Sequence, residues 1–341
     1  MHITWKMMAP GLRLLGAGYR LTSPGAMPEG MLRFGNRFLQ KVLAGRWMSR
    51  TSRMEQRWMP RPDGSQLRLC ICRPRKPLTG QVPGLLWIHG GGYAMGVPEM
   101  DAMFVNRFMK AGDCIAVLPD YRLSTEAPYP AALDDCWLAL KWMKEHAAEL
   151  GIRQDQLFTG GDSAGGGLCA ALSLRARDTG EVNIAFQMPL YPMIDDRMET
   201  PSQQENDAPV WNSKSNAAAW QMYLCGRQGT EDIPTWAAPA RAEDLTGMPP
   251  TCTYVGTIEP FRDETIAYVE RLQAAGVRVW FKQMEGCYHG FDIIAGFSGP
   301  AKEAEAFSQE AFRQACAECF APQRNQGGPQ ENPESSVVEC H

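Results

Sequence analysis

Short apolar runs alternate along this chain with longer stretches whose apolar residues recur at helical spacing. The runs "VPGLLWIHGGG", "CIAVLPDY", "QLFTGG", "NIAFQMPLYP", "PTCTYVG" and "VRVWFKQM" predict buried strands, and "DGSQLRLCICRP" (Asp63 to Pro74) predicts one before them. Between them, "PAALDDCWLALKWMKEHAAEL" reads as a helix with Gly151 just past its end, where a left-handed residue belongs. "GGLCAALSLRARD", "DETIAYVERLQAAG" and "AKEAEAFSQEAFRQACAECF" read as three more helices. Strands that alternate with helices predict an α/β fold around a mostly parallel sheet.

Three segments break the rhythm. Residues 1–57 carry ten Lys/Arg against two acids, among many Met, Leu, Phe and Trp. We read them as the N-terminal part of a helical cap whose apolar face covers the main domain. A basic amphipathic surface element that meets lipid is the competing reading. Residues 195–232, rich in Asn, Ser, Gln, Trp and Met, read as an insertion that completes the cap. They leave 58–194 and 233–321 as the two parts of the core, and the polar tail 322–341 as disordered.

The overall formal charge of −4 offers no reason to expect nucleic acid as a partner. The eleven cysteines form no framework. Cys70-x-Cys72 in a strand is read as a poor metal clamp, and Cys316-x-x-Cys319 has no partnering His or Cys pair for zinc. Without a signal peptide or a membrane-spanning apolar run, reduced thiols in a cytoplasmic protein are expected.

Candidate chemistry starts at "FTGGDSAGGG", which holds Gly161-Asp162-Ser163-Ala164-Gly165, a G-x-S-x-G. The bare pattern is weak, and a glycine-rich αβ turn is the plain alternative. Its place between a strand (Gln156–Thr159) and a helix makes it a nucleophile elbow that lifts the Ser163 hydroxyl above the sheet edge. Upstream, His89-Gly90-Gly91-Gly92 follows another strand, and glycines there let backbone N–H groups face a cavity. Two such donors and the N–H of Ala164 would hold an oxyanion.

Serine also needs a base. Of five histidines, His2 and His341 are terminal, His146 sits in a charged helical stretch as a solvated side chain, and His89 anchors the glycine loop. His289, in "EGCYHGFD" after the last strand, remains. The acid must come from "TYVGTIEPFRDET", which offers Glu259, Asp263 and Glu264. Ser, acid and His in that chain order, each past a strand end, match α/β-hydrolase logic.

"HGGGYAMG", "PDYRLSTEAPYPAALDD", "GGDSAGGGL", "EPFRDE" and "YHGFD" together resemble the hormone-sensitive-lipase-like branch of the α/β-hydrolases, from about Pro83 to Phe291. The resemblance implies an eight-stranded, mostly parallel sheet with a helical cap. It implies hydrolysis of short- to medium-chain carboxylic esters without a cofactor or metal. It places the nucleophile at Ser163, the base at His289 and the oxyanion hole at Gly91, Gly92 and Ala164. Glu259 occupies the position of the family's catalytic Asp, with "EPF" where Asp-Pro-Leu is commoner. Asp263 is the alternative acid, and Asp263 and Glu264 suit a first helical turn in any case. Arg122 and Glu126 resemble the family's structural ion pair. Trp211, Trp220 and Met222 are candidates to line an acyl pocket, with core packing the alternative for each.

Three rivals stay open. An amidase, peptidase or lactonase could use the same machinery. A non-catalytic receptor, like the plant gibberellin receptors that resemble this family, would lack the histidine that this chain keeps. The basic N-terminal segment could instead make this a membrane-surface protein. A small-molecule ester is the expected partner; a homodimer is left open.

Overall fold

Eight strands form one mixed sheet in the order β1-β2-β4-β3-β5-β6-β7-β8 in this computed structural model, which describes residues 1–22 and 25–324. The strands are β1 (Ser52–Pro60), β2 (Gln66–Pro74), β3 (Val82–Ile88), β4 (Ile115–Pro119), β5 (Ile152–Asp162), β6 (Phe186–Leu190), β7 (Thr251–Gly256) and β8 (Val279–Met284). Only β2 runs against its neighbours; β4, β3 and β5 to β8 are parallel throughout. The helices are α1 (Arg13–Thr22), α2 (Glu29–Leu43), α3 (Ala102–Ala111), α4 (Ala131–Glu145) and α5 (Ala147–Leu150). They continue with α6 (Ala164–Thr179), α7 (Ser213–Tyr223), α8 (Arg262–Ala274), α9 (Phe291–Ile294) and α10 (Gly299–Glu318).

The apolar runs are continuous because both faces of the sheet are covered. Along β3, Leu86 and Ile88 enter one core with α4 and α6, while Leu85 and Trp87 enter another with α3 and α10. β4 divides the same way, Ile115 and Val117 against Ala116 and Leu118. That period of two is the pleat of a strand buried on both sides.

The structure differs from the sequence reading at several points. β1 begins at Ser52, inside the segment read as cap up to residue 57, and its alternating, mostly exposed pattern is that of a sheet edge. The strand expected from Asp63 starts at Gln66, because Arg61 to Ser65 make the turn that pairs β2 with β1. α3 was not anticipated. The helix expected from Pro130 to Leu150 breaks at His146, which is half-buried and stacked on Trp142 at 4.3 Å rather than solvated.

Arg122 does not pair with Glu126, which is exposed. Its guanidinium grips both oxygens of the fully buried Asp135 carboxylate, at 3.1 and 2.9 Å, and Arg61 reaches the same group at 2.7 Å. The start of the tail read as disordered is docked: Gln323 bonds the backbone of Asn183 at 3.0 and 2.8 Å. The rest of that tail, 325–341, lies outside the described residues. Among the described residues, no helix is long and apolar enough to cross a membrane.

Candidate active site

Four loops leave the C-terminal edge of the parallel strands and meet above it. β5 ends at Asp162, and Ser163 follows with φ 56° and ψ −118°, a left-handed turn into α6. The elbow closes tightly enough to demand its glycines: a Cβ on Gly161 would stand 2.4 Å from the Gly165 carbonyl oxygen, and one on Gly165 would stand 2.0 Å from that of Ile88. Such a strained serine persists because the β5–α6 packing fixes it. Ser163 N–H bonds Leu190 O, and its own carbonyl accepts from Gly167 and Met193.

His289 joins the other two residues. Its Nε2 lies 2.8 Å from Ser163 Oγ, and its Nδ1 lies 2.5 Å from Glu259 Oε2. All three side chains are almost wholly buried. Glu259 sits just beyond β7, and His289 just beyond β8. The rings of Phe261 and Tyr191 each meet the imidazole edge-on at 4.9 Å, which restricts its rotation. An imidazole held between a hydroxyl and a carboxylate can accept the hydroxyl proton through Nε2 while Nδ1–H stays on the acid.

The other two acids serve elsewhere. Asp263 accepts from Ser202 N at 2.8 Å and pairs with Arg262, with no bond to His289. Glu264 lies in the first turn of α8, as expected, but is buried; it accepts from the N–H groups of Ile194 and Asp195 at 2.7 and 3.3 Å and from the Gln203 amide. Burial and the nearby Asp195 push its pKa up, against those backbone bonds.

The glycine loop is held from three sides. His89 Nδ1 lies 2.8 Å from Gly90 O, and its ring stacks on Tyr121 at 4.3 Å. Burial lowers the pKa of His89, so it is neutral and donates through Nδ1. Gly90 N–H donates to Asp162 Oδ1 at 2.9 Å, and Tyr121 OH donates to His89 O at 2.9 Å. Gly91 O closes the following turn by accepting from Ala94 and Met95. Ala164 opens α6, so its N–H has no acceptor within the helix and stands at the positive end of the helix dipole.

Next to this loop lies a small cleft of about 50 Å³, lined by Gly91, Gly92, Leu32, Trp211 and Met222 among others. Trp211 stands over Gly92 and 6.2 Å from the His289 ring. Trp220, by contrast, is fully buried among Tyr93 and Tyr223 and belongs to the core. Cys316 and Cys319 find no third ligand: among the described residues no group of three or more His, Cys, Asp or Glu could hold a metal ion.

Sequence reasoning missed the support beneath the site. Asp101 receives Trp87 Nε1–H at 2.7 Å and shares a buried setting with Asp162; burial lifts Asp101 to about 6 and Asp162 well above the carboxylate range. Asp292, from "YHGFD", accepts from Tyr254 and Tyr191 hydroxyls at 2.6 and 2.9 Å and faces Arg107 at 3.3 Å. The motif contained Asp162 and Asp292, but nothing in spacing shows which partners they meet.

Comparison with known proteins gives a consistent outcome. A family model described as an alpha/beta hydrolase fold matches residues 85–293. Esterase LipI of Mycobacterium tuberculosis is 38% identical over 232 residues, 68% of this chain and 72% of that protein. Carboxylesterase NlhH of the same species is 36% identical over 239 residues, 69% of this chain and 74% of its own. Among solved structures, a bacterial heroin esterase superposes with a TM-score of 0.81 at 32% identity, covering 92% of this chain and 99% of that one. Brefeldin A esterase, a bacterial homologue of human hormone sensitive lipase, shares the fold with a TM-score of 0.78 at 24% identity, covering 92% of this chain and 94% of its own.

Proposed function

The chain belongs to the α/β-hydrolase family, in its hormone-sensitive-lipase-like branch, and from that premise we propose that it is a carboxylesterase acting through an acyl-serine on Ser163. The observation that carries this reading is His289, bonded at once to Ser163 and Glu259.

Ser163 Oγ attacks the ester carbonyl carbon as His289 Nε2 takes its proton. The carbonyl π pair moves to oxygen, and the N–H groups of Gly91, Gly92 and Ala164 receive that oxyanion. The tetrahedral intermediate collapses, the C–O bond to the alcohol breaks, and His289 returns its proton to the leaving oxygen. Water, deprotonated by the same imidazole, then attacks the acyl-serine and releases the acid. Glu259 holds Nδ1–H throughout and stabilises the imidazolium without taking its proton.

The helices before β1 and the segment 195–232 act as the cap over this site. The short cleft beside Trp211 favours acyl groups of short to medium length, since its lining leaves little room beyond them. The chief test is Ser163→Ala assayed on p-nitrophenyl butyrate. Hydrolysis should fall about 10⁴- to 10⁶-fold with the thermal unfolding transition retained. Activity near the starting level in that variant would overturn the reading.

A further inference from the structure

The outward faces of α1 and α2 carry large apolar side chains that none of the described residues covers. On α2, Met31, Phe34 and Phe38 follow helical spacing opposite the inward Leu32 and Asn36, with Phe34 73% and Phe38 58% exposed. On α1, Leu14 and Leu21 are 81% and 89% exposed, seven residues apart and so on one side. Beside the aromatic stripe of α2 runs a second stripe at the same spacing, Arg33, Arg37 and Lys41, all exposed. Glu29 pairs with Arg33 at the surface and is the sole acid on that helix.

The inward faces say where this surface lies. Asn36 donates to Ala94 O at 2.8 Å and accepts from Gly96 N, which ties α2 to the glycine loop. Gly16 of α1 packs against Tyr288, the neighbour of His289. Both helices therefore pack on the catalytic loops through their inward faces, and Leu32 of α2 lines the cleft beside them.

We propose that the outer faces of α1 and α2 dock on an anionic lipid surface. Isolated side chains this exposed project from the helices rather than line a groove, which suits insertion into a deformable apolar medium. An apolar stripe edged by cations is the arrangement of an interfacial helix, where burial of the apolar residues and attraction to acidic headgroups add. The segment before β1, residues 1–51, holds eight Lys/Arg against one acid, an excess of the sign such a surface attracts. The chain's own residues 325–341 offer only Val337 and Val338 as aliphatic cover, too little for two helical faces. Docking here would hold the two helices that pack on the catalytic loops against the lipid. It is independent of the triad assignment, because binding is read without turnover.

The test is flotation of the full chain with phosphatidylcholine vesicles, with and without a minor fraction of phosphatidylglycerol. The chain should float with the anionic vesicles and be released by salt. Phe34→Ser with Phe38→Ser should weaken the partition about tenfold or more, and Arg33→Gln with Arg37→Gln and Lys41→Gln should remove the preference for phosphatidylglycerol. The Phe34/Phe38 variant should keep hydrolysis of soluble p-nitrophenyl butyrate within about twofold, showing that it folds. Failure of the unaltered chain to float with either vesicle would overturn the proposal. So would a self-association in solution, seen by sedimentation, that the Phe34/Phe38 variant abolishes, since a second copy would then own this face.

Discussion

Glu259 bends back onto the end of its own strand, accepting a hydrogen bond from Gly256 N–H at 2.6 Å through Oε1. Its other oxygen, Oε2, faces His289. The longer side chain of glutamate thus divides its two oxygens between an anchor on β7 and the imidazole. Removing its charge should be costly and shortening it less so. Glu259→Gln should lower kcat about 10³- to 10⁴-fold, because the amide cannot stabilise the imidazolium. Glu259→Asp should lose about 10- to 100-fold, through a carboxylate drawn back from Nδ1. Asp263→Asn should stay within about fivefold, as its bonds go to Ser202 and Arg262. Steady-state kinetics on p-nitrophenyl butyrate check the ranking, and a larger loss at Asp263 than at Glu259 would reassign the acid.

The buried pair of Asp101 and Asp162 gives stability a pH dependence. Unfolded, both carboxyls ionise near 3.8; folded, burial raises Asp101 to about 6 and Asp162 well above its ordinary range. Above the unfolded value the native state keeps protons that the unfolded state releases, so stability falls as pH rises through that window. Asp162→Asn keeps an acceptor for Gly90 N–H and removes one of the two titrating groups. Between about pH 5 and pH 8 this variant should lose about 1–3 kcal/mol less stability than the unaltered chain. Urea unfolding at the two pH values measures it, and equal losses would show that the pair does not hold its proton.

Trp211 closes the cleft at Gly92, so it should set the acyl length. Trp211→Ala should move the optimum in a p-nitrophenyl ester series toward longer chains, with kcat/KM for the octanoate relative to the butyrate rising about tenfold. The ratio would stay unchanged if the acyl group lay elsewhere. Trp220→Ala, a deletion inside the core, should instead cost about 3–5 kcal/mol of stability.

What the sequence disclosed, and what it hid, follows from the reach of each interaction. The elbow at Ser163 was legible because its constraints are local: glycines two residues to either side, a strand before and a helix after. His289 could be reached by elimination among five histidines. β1 was hidden because an edge strand with one exposed face carries polar residues such as Arg53, Glu55 and Arg57, which look no different from a basic surface segment. The partner of Arg122 was misread because Asp135 lies thirteen residues on, in α4, and comes within reach only when the intervening turn folds. Glu264 looked like a helix-terminal acid, and only the packing of residues 194–203 over α8 buries it. The division of labour between Trp211 and Trp220 likewise depends on packing: Trp220 lies on the face of α7 that meets the core, whereas Trp211 precedes that helix and stands over Gly92.

The central claim is that Ser163 is the nucleophile, activated by His289. Treatment with a fluorophosphonate ester, followed by intact-mass and peptide mass spectrometry, addresses it most directly. The expected result is one phosphonyl adduct per chain, on the peptide containing Ser163. His289→Ala should slow its formation about 10³-fold or more, and Ser163→Ala should abolish it. An adduct on another residue, or unimpeded hydrolysis by a fully labelled chain, would contradict it.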